Sequence, residues 1–146
     1  MKHMIIMMGI QASGKTTFYH QNLESKYVHI SLDELHTRNK EDLAIRNCIA
    51  AGQDYVIDNT NPTKKDREKY IRVARDNGYT ITGYFFRSVV KECIARNEKR
   101  EGKQRVPTTA IPCTSNKLEM PSKEEGFDEL HYVYMSDDGF IVEEWK

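Results

Sequence analysis

Gly9-Ile10-Gln11-Ala12-Ser13-Gly14-Lys15-Thr16 has the form G-x-x-x-x-G-K-[ST], and residues of these types at this spacing bind phosphate. The glycines let the backbone curl until successive N–H groups converge on an anion, and a helix beginning near Gly14 would aim its N-terminus at the same place. Lys15 would bring a point charge to the β and γ phosphates of a nucleotide. Thr16, followed by Thr17, would offer a hydroxyl to a magnesium ion. The competing reading is an ordinary turn and helix cap. The apolar run Met4 to Met8 before the loop and a helix after it favour a phosphate loop.

What happens to a bound nucleotide depends on the groups that join it. Asp33 lies just past the end of a short strand, Tyr27 to Ile30, where open α/β sheets gather ligands. It is either a general base accepting a proton from an attacking hydroxyl or a helix-start acid, since Ser31-Leu32-Asp33-Glu34 also fits a capping box. Asp58 ends the apolar strand Tyr55-Val56-Ile57 as a Walker B acid does, holding magnesium directly or through water. Its neighbours Asn59, Thr60 and Asn61 include no Glu or Gln to position an attacking water, which weakens a hydrolase reading; they serve equally well as turn residues. Asn116-Lys117-Leu118-Glu119 misses the guanine-reading N-K-x-D by its last residue. Arg96, Lys99, Arg100, Lys103 and Arg105 are a solvated face or a lid over about 96–106, with Arg96 and Arg100 four apart on one helical face. Arg38, Lys64 and Lys65 are acceptor contacts or simply exposed.

The elements that must position these groups alternate. Helices are expected from about Gly14 to Leu23 and Lys40 to Ala51, then from Pro62, capped by Asn61, to about Asn77, and from Val89 to about Arg100. A fourth strand is expected over Tyr79 to Phe86. Glu129 to Met135 and Phe140 to Glu143 form strands joined around Asp137-Asp138-Gly139, a hairpin turn that places the last strand antiparallel at an edge. Pro112 should break or kink any helix between Thr108 and Leu118. This pattern predicts a three-layer α/β fold with a mainly parallel, five-stranded sheet, a small lid and a C-terminal antiparallel edge hairpin.

With 146 residues the chain suits one domain, 1–146. Its 22 basic and 22 acidic residues give a formal net charge of +0, so any nucleic-acid contact must be local. Cys48, Cys93 and Cys113 are odd in number and widely spaced, reading as buried or incidental thiols in a reducing, cytoplasmic setting. No secretory or membrane-spanning run is expected, because the apolar stretch at Met4 to Met8 is short and ends in the loop.

Taken in order, Gly-Ile-Gln-Ala-Ser-Gly-Lys-Thr-Thr, His-Ile-Ser-Leu-Asp33-Glu, Val-Ile-Asp58-Asn-Thr-Asn-Pro, Ala-Arg96-Asn-Glu-Lys-Arg100, Val106-Pro107 and Glu125 to Leu130 resemble the kinase domain of polynucleotide 5'-hydroxyl kinases over nearly the whole chain. The resemblance implies a P-loop kinase fold and transfer of the ATP γ-phosphate to the 5'-hydroxyl of DNA or RNA. It makes Lys15 and Thr16 the holders of ATP and magnesium, Asp33 the base, and Arg96 and Arg100 lid arginines on the phosphates. One departure concerns the acceptor. The phage member of that family has an arginine three residues after its base, where this chain has His36; the nearest arginine is Arg38. Phosphatase and ligase regions of larger relatives are missing, which implies a stand-alone kinase or half of a split repair system. Two other readings stay open: a P-loop kinase for a small-molecule alcohol, and a nucleotide-binding switch or interaction module.

Overall fold

Alternate residues of the first apolar run face opposite ways. His3–Met8 is β1, and Met4, Ile6 and Met8 pack on one side while Ile5 and Met7 pack on the other. A strand buried on both faces must lie inside a sheet covered by helices above and below. The computed structural model describes residues 2–145, and the two ends of the expected 1–146 unit lie outside the described residues. After β1 come α1 (Lys15–Asn22), β2 (Val28–Ile30), α2 (Leu32–Leu35), α3 (Arg38–Ala51), β3 (Tyr55–Asp58), α4 (Lys64–Asp76) and β4 (Thr80–Phe86). Then follow α5 (Val90–Glu98), a 3₁₀ turn at Gly102–Gln104, α6 (Ala110–Lys117), a second 3₁₀ turn at Lys123–Glu125, β5 (Glu129–Ser136) and β6 (Gly139–Glu144).

The strands form one sheet in the order β2-β3-β1-β4-β5-β6. All neighbours are parallel except β5 and β6. Ile45, Cys48, Ile71 and Ala74 from α3 and α4 cover one face; Phe18, Tyr19 and Leu23 from α1 and the turn after it cover the other. The three-layer α/β architecture with an antiparallel C-terminal hairpin is as expected. The strand count is six rather than five, because β5 pairs with β4 while β6 adds outside it, so the hairpin contributes two strands to the sheet. Among the described residues no helix is long and apolar enough to cross a membrane.

Two local expectations fail for clear reasons. Asn61 does not cap α4: its backbone takes φ 45°, and its buried side chain donates to the Met7 carbonyl at 2.7 Å, tying the loop after β3 to β1. The helix therefore begins past Pro62, with the Thr63 hydroxyl accepting from the Asp66 N–H. Pro112 does not interrupt α6, because it is the third helical residue, where a missing N–H costs no intrahelical bond.

The Glu125 to Leu130 stretch, part of the family resemblance, seats β5. Asp128 exchanges hydrogen bonds with the backbone of Ile81, and Phe127 lies over Gly83 in the middle of β4. A Cβ at Gly83 would stand 2.7 Å from the Phe127 ring and 2.8 Å from Leu130. Gly83→Ala is therefore expected to destabilise the protein by about 1–3 kcal/mol, the usual cost of overpacking a core. Urea denaturation should show a lower midpoint at an unchanged slope.

Candidate active site

The parallel strands deliver their C-terminal ends to one edge, and the flagged residues collect there. The loop after β1 runs from Gly9 to Gly14. Gly9 donates to the Thr60 carbonyl beyond β3 at 3.0 Å, and Ile10 donates to the Ser88 hydroxyl beyond β4 at 3.1 Å. Gly14 has φ 106°, and a Cβ there would collide with Met135 and Phe140 on the hairpin. The positive φ favours glycine, and a Cβ would also require the Met135 and Phe140 side chains to shift. Among the described residues no hydrogen bond within the protein is made by the N–H groups of Gln11 to Lys15, which leaves a run of donors at the start of α1 for an anion.

Lys15 is buried, its ammonium donating to the carbonyls of Gly9 and Ile10 at 3.0 and 2.9 Å. Burial pushes its pKa below the usual lysine value. The charge of Asp58 opposes that shift most. The Thr16 hydroxyl donates to Asp58 Oδ2 at 2.8 Å, which leaves the hydroxyl lone pairs free for a cation. A hydroxyl oxygen beside a carboxylate suits magnesium, a hard ion that takes oxygen ligands and keeps several waters. Among the described residues no three His, Cys, Asp or Glu side chains gather as a separate metal cage. Thr17 is exposed.

Sequence reasoning missed His29. Its Nε2 lies 2.7 Å from Asp58 Oδ2 and its Nδ1 3.1 Å from Glu34 Oε1, while its ring stacks on Tyr19 at 4.2 Å. Both ring nitrogens thus face a carboxylate oxygen at hydrogen-bond distance, an arrangement that favours the protonated ring. Burial would lower its pKa, but the two carboxylates outweigh burial and raise it. Burial would likewise raise Asp58; the hydrogen bond from His29, the charge of Lys15 and the Thr16 hydroxyl hold it below the usual carboxylate range.

Asp33 stands in the first turn of α2, and the two sequence readings of it separate. The cap is Ser31, whose hydroxyl accepts from the Asp33 N–H at 3.2 Å, and Glu34 turns to His29 instead of closing a capping box. The exposed Asp33 carboxylate has no hydrogen bond or ion pair among the described residues. Asn59 pins the helix from below, accepting from the Leu32 N–H at 2.9 Å and donating to Glu41 at 2.9 Å. Glu41 is fully buried and also receives the Tyr70 hydroxyl and Arg38.

The two arginines of the expected lid differ. Arg96 donates to the Ala12 carbonyl in the phosphate loop at 2.8 Å, and Ala12 holds φ 62°. Arg100 donates to the Gln104 carbonyl at 3.3 Å, inside the basic loop. The Gln11 side chain reaches Thr114 on α6 at 2.9 Å, and Ile10, Ala12, Cys93 and Ile111 form a small core that joins the loop to α5 and α6. Of the suggested acceptor contacts, Arg38 and Lys65 line one cavity of about 490 Å³ beside Leu32 and Asn59. Lys64 is not among its lining residues; its N–H donates to Glu119.

A model of the AAA domain family matches residues 41–119. The chain belongs to that family. Two curated relatives agree with the resemblance seen in the sequence. A protein of Acanthamoeba polyphaga mimivirus named as a bifunctional polynucleotide phosphatase/kinase is 29% identical over 158 aligned positions, covering 99% of this chain and 37% of its own length. A bifunctional polynucleotide phosphatase/kinase of Schizosaccharomyces pombe is 26% identical over 138 positions, covering 90% of this chain and 33% of its own. The chain thus spans about a third of the length of these relatives. Among solved structures, Chaetomium thermophilum Kti12 in complex with ADP-AlF3 superposes with a TM-score of 0.67 at 19% identity, covering 92% of this chain and 90% of that one. A gluconokinase from Sinorhizobium meliloti 1021 gives 0.61 at 19% identity, covering 90% and 82%. The fold of this AAA domain is that of the P-loop kinases.

Proposed function

We propose that the chain is a single kinase domain that uses ATP and magnesium to phosphorylate a hydroxyl, and that the hydroxyl is the 5' end of DNA or RNA. One observation carries the reading: an unpaired carboxylate, Asp33, stands just past β2 at the same C-terminal sheet edge as the phosphate loop after β1, on a helix held from two sides. A nucleotide switch needs no such group; a transferase to an alcohol does. In this reading residues Gly9 to Thr17 cradle the triphosphate, and Lys15 and the loop N–H groups bear the charge that develops on it. Thr16 and Asp58 hold the magnesium, which neutralises phosphate charge when bound. Asp33 takes the hydroxyl proton. Arg96 shapes the loop through Ala12 and Arg100 reaches the phosphates from the lid, 96–106. The names of the curated relatives support a nucleic-acid acceptor and a repair setting, and the unbridged cysteines fit a reducing, cytoplasmic one.

Labelled ATP offered with 5'-hydroxyl DNA, 5'-hydroxyl RNA, nucleosides and sugars tests the proposal. Label on oligonucleotide ends is the expected result; label on none of them sinks it. A small-alcohol kinase is the second reading, favoured by the shared fold with a gluconokinase and the balanced charge, and label on a sugar alone would select it. His29→Gln keeps at most one of the two donors that hold Asp58 and Glu34. It is expected to raise the magnesium concentration for half-maximal activity by about 10–100-fold, the scale of lost outer-shell partners. A magnesium titration of activity checks this, and an unchanged midpoint would remove His29 from the site.

A further inference from the structure

The apolar stripe of α5 runs through Val90, Cys93 and Ile94, and the next place on it belongs to Asn97. A polar side chain on such a stripe is buried and must find partners. Asn97 is fully buried, and its amide meets one residue in two ways: it donates to the Val106 carbonyl at 2.8 Å and accepts from the Val106 N–H at 3.0 Å. Its own carbonyl accepts from the Arg100 N–H at 3.0 Å. Asn97 therefore holds the basic loop both where it leaves the helix and where it returns. Val106 in turn packs on the small core that contains Ile10 and Ala12, so the base of the lid is tied to the phosphate loop.

Between these ties the chain carries Lys99, Arg100, Lys103 and Arg105. Among the described residues the one hydrogen bond or ion pair of their side chains runs from Arg100 Nη1 to the Gln104 carbonyl at 3.3 Å. Gln104 ends the 3₁₀ turn that Arg105 closes on Gly102, and it stands two residues before Val106. Pinning Val106 thus sets where the Gln104 carbonyl stands, and that carbonyl fixes one end of the Arg100 guanidinium. Nε and Nη2 remain for phosphate oxygens. Without the Asn97 amide, the next element to hold the chain is α6, which begins at Ala110, and the free segment grows from 98–105 to 98–109.

We infer that Asn97 is the positioning residue of the lid. It staples the loop at Val106 and acts on phosphoryl transfer through Arg100, touching neither nucleotide nor acceptor. This rests on the kinase reading and deepens it by adding a residue that aims the lid arginine.

A double-mutant cycle on the full chain tests it, read as single-turnover transfer to the hydroxyl that takes label, beside a titration with ATP. Asn97→Leu should lower the transfer rate by about 10- to 100-fold, the scale of a misplaced group, with ATP affinity within about threefold of the parent. In an Arg100→Ala background the same leucine should cost less than about threefold, because residues that act through one another are not additive. Trypsin should cut the leucine variant between Lys99 and Arg105 at least about fivefold faster than the parent, as two lost hydrogen bonds imply, with the rest of the chain cut as before. Asn97→Asp keeps the shape and the bond from the Val106 N–H and loses the donor, so it runs the same cycle if leucine prevents folding. An additive cycle, or a loss of ATP affinity that matches the loss of rate, overturns the role of Asn97 and leaves the kinase reading standing. Absence of transfer by the parent overturns the kinase reading, and equal cutting of parent and variant overturns the staple with or without transfer.

Discussion

Asp33→Asn is expected to lower the rate of phosphoryl transfer by about 10²–10⁴, the worth of a positioned general base, while ATP binds as before. The substitution is unusually clean here. The carboxylate makes no bond within the described protein, and the cap of α2 is the Ser31 hydroxyl acting on the Asp33 backbone, so asparagine disturbs neither. Leu32 remains tied to Asn59, and Glu34 to His29. The proposed nucleotide cradle is another stretch of chain, residues Gly9 to Thr17. Nucleotide titration beside single-turnover transfer separates the two effects. Transfer near the parent rate would show that another group takes the proton, and a matching loss of ATP affinity would show that Asp33 acts on the nucleotide.

Arg67→Ala is expected to cost about 3–5 kcal/mol of folding stability, the price of breaking one side of a buried ion pair. Arg67 is fully buried on α4. Its guanidinium meets both oxygens of Glu125 at 2.9 and 3.2 Å and the carbonyls of Asn61 and Glu119 at 2.9 and 3.2 Å. Alanine would strand Glu125, which is nearly buried, and two carbonyls as well. Because a whole domain is stable by only about 5–15 kcal/mol, thermal unfolding should move down by many degrees. Replacing Arg67 and Glu125 together by methionine should recover most of the loss, since no charge is then left alone. A loss below about 1 kcal/mol for the single variant would mean that the pair is solvated after all.

The phosphate loop, Asp33 and Asp58 were legible because each sits in a short local pattern whose geometry is fixed by its own neighbours. His29, Glu41 and Arg67 were not, because their partners come from distant parts of the chain brought together by the strand order. A signal for two of them was present. Arg67 lies on the same helical face as Tyr70, Ile71 and Ala74, and Glu41 on the same face as Ile45 and Cys48. A charge on the apolar stripe of an amphipathic helix must be buried and paired, so periodicity announces it even when the partner stays hidden. Asn61 misled for the opposite reason: a residue type favoured as a cap was used for its tolerance of positive φ and its amide. The fifth and sixth strands were both visible in the residues, and only their joint membership of the sheet was not.

The strand order also has a consequence for synthesis. β1 emerges first yet sits inside the sheet, between β3 and β4. Met4 to Met8, with neither charge nor proline, can find no ladder until β3 has left the ribosome, and its other edge stays open until β4 follows, roughly 4–16 s after Met8 at translation speeds of about 5–20 residues per second. During that interval the segment is open to mispairing, with Lys2 and the glycine that ends it as flanking guards. The same five residues that hold the phosphate loop in place are thus the ones a chaperone would need to shield.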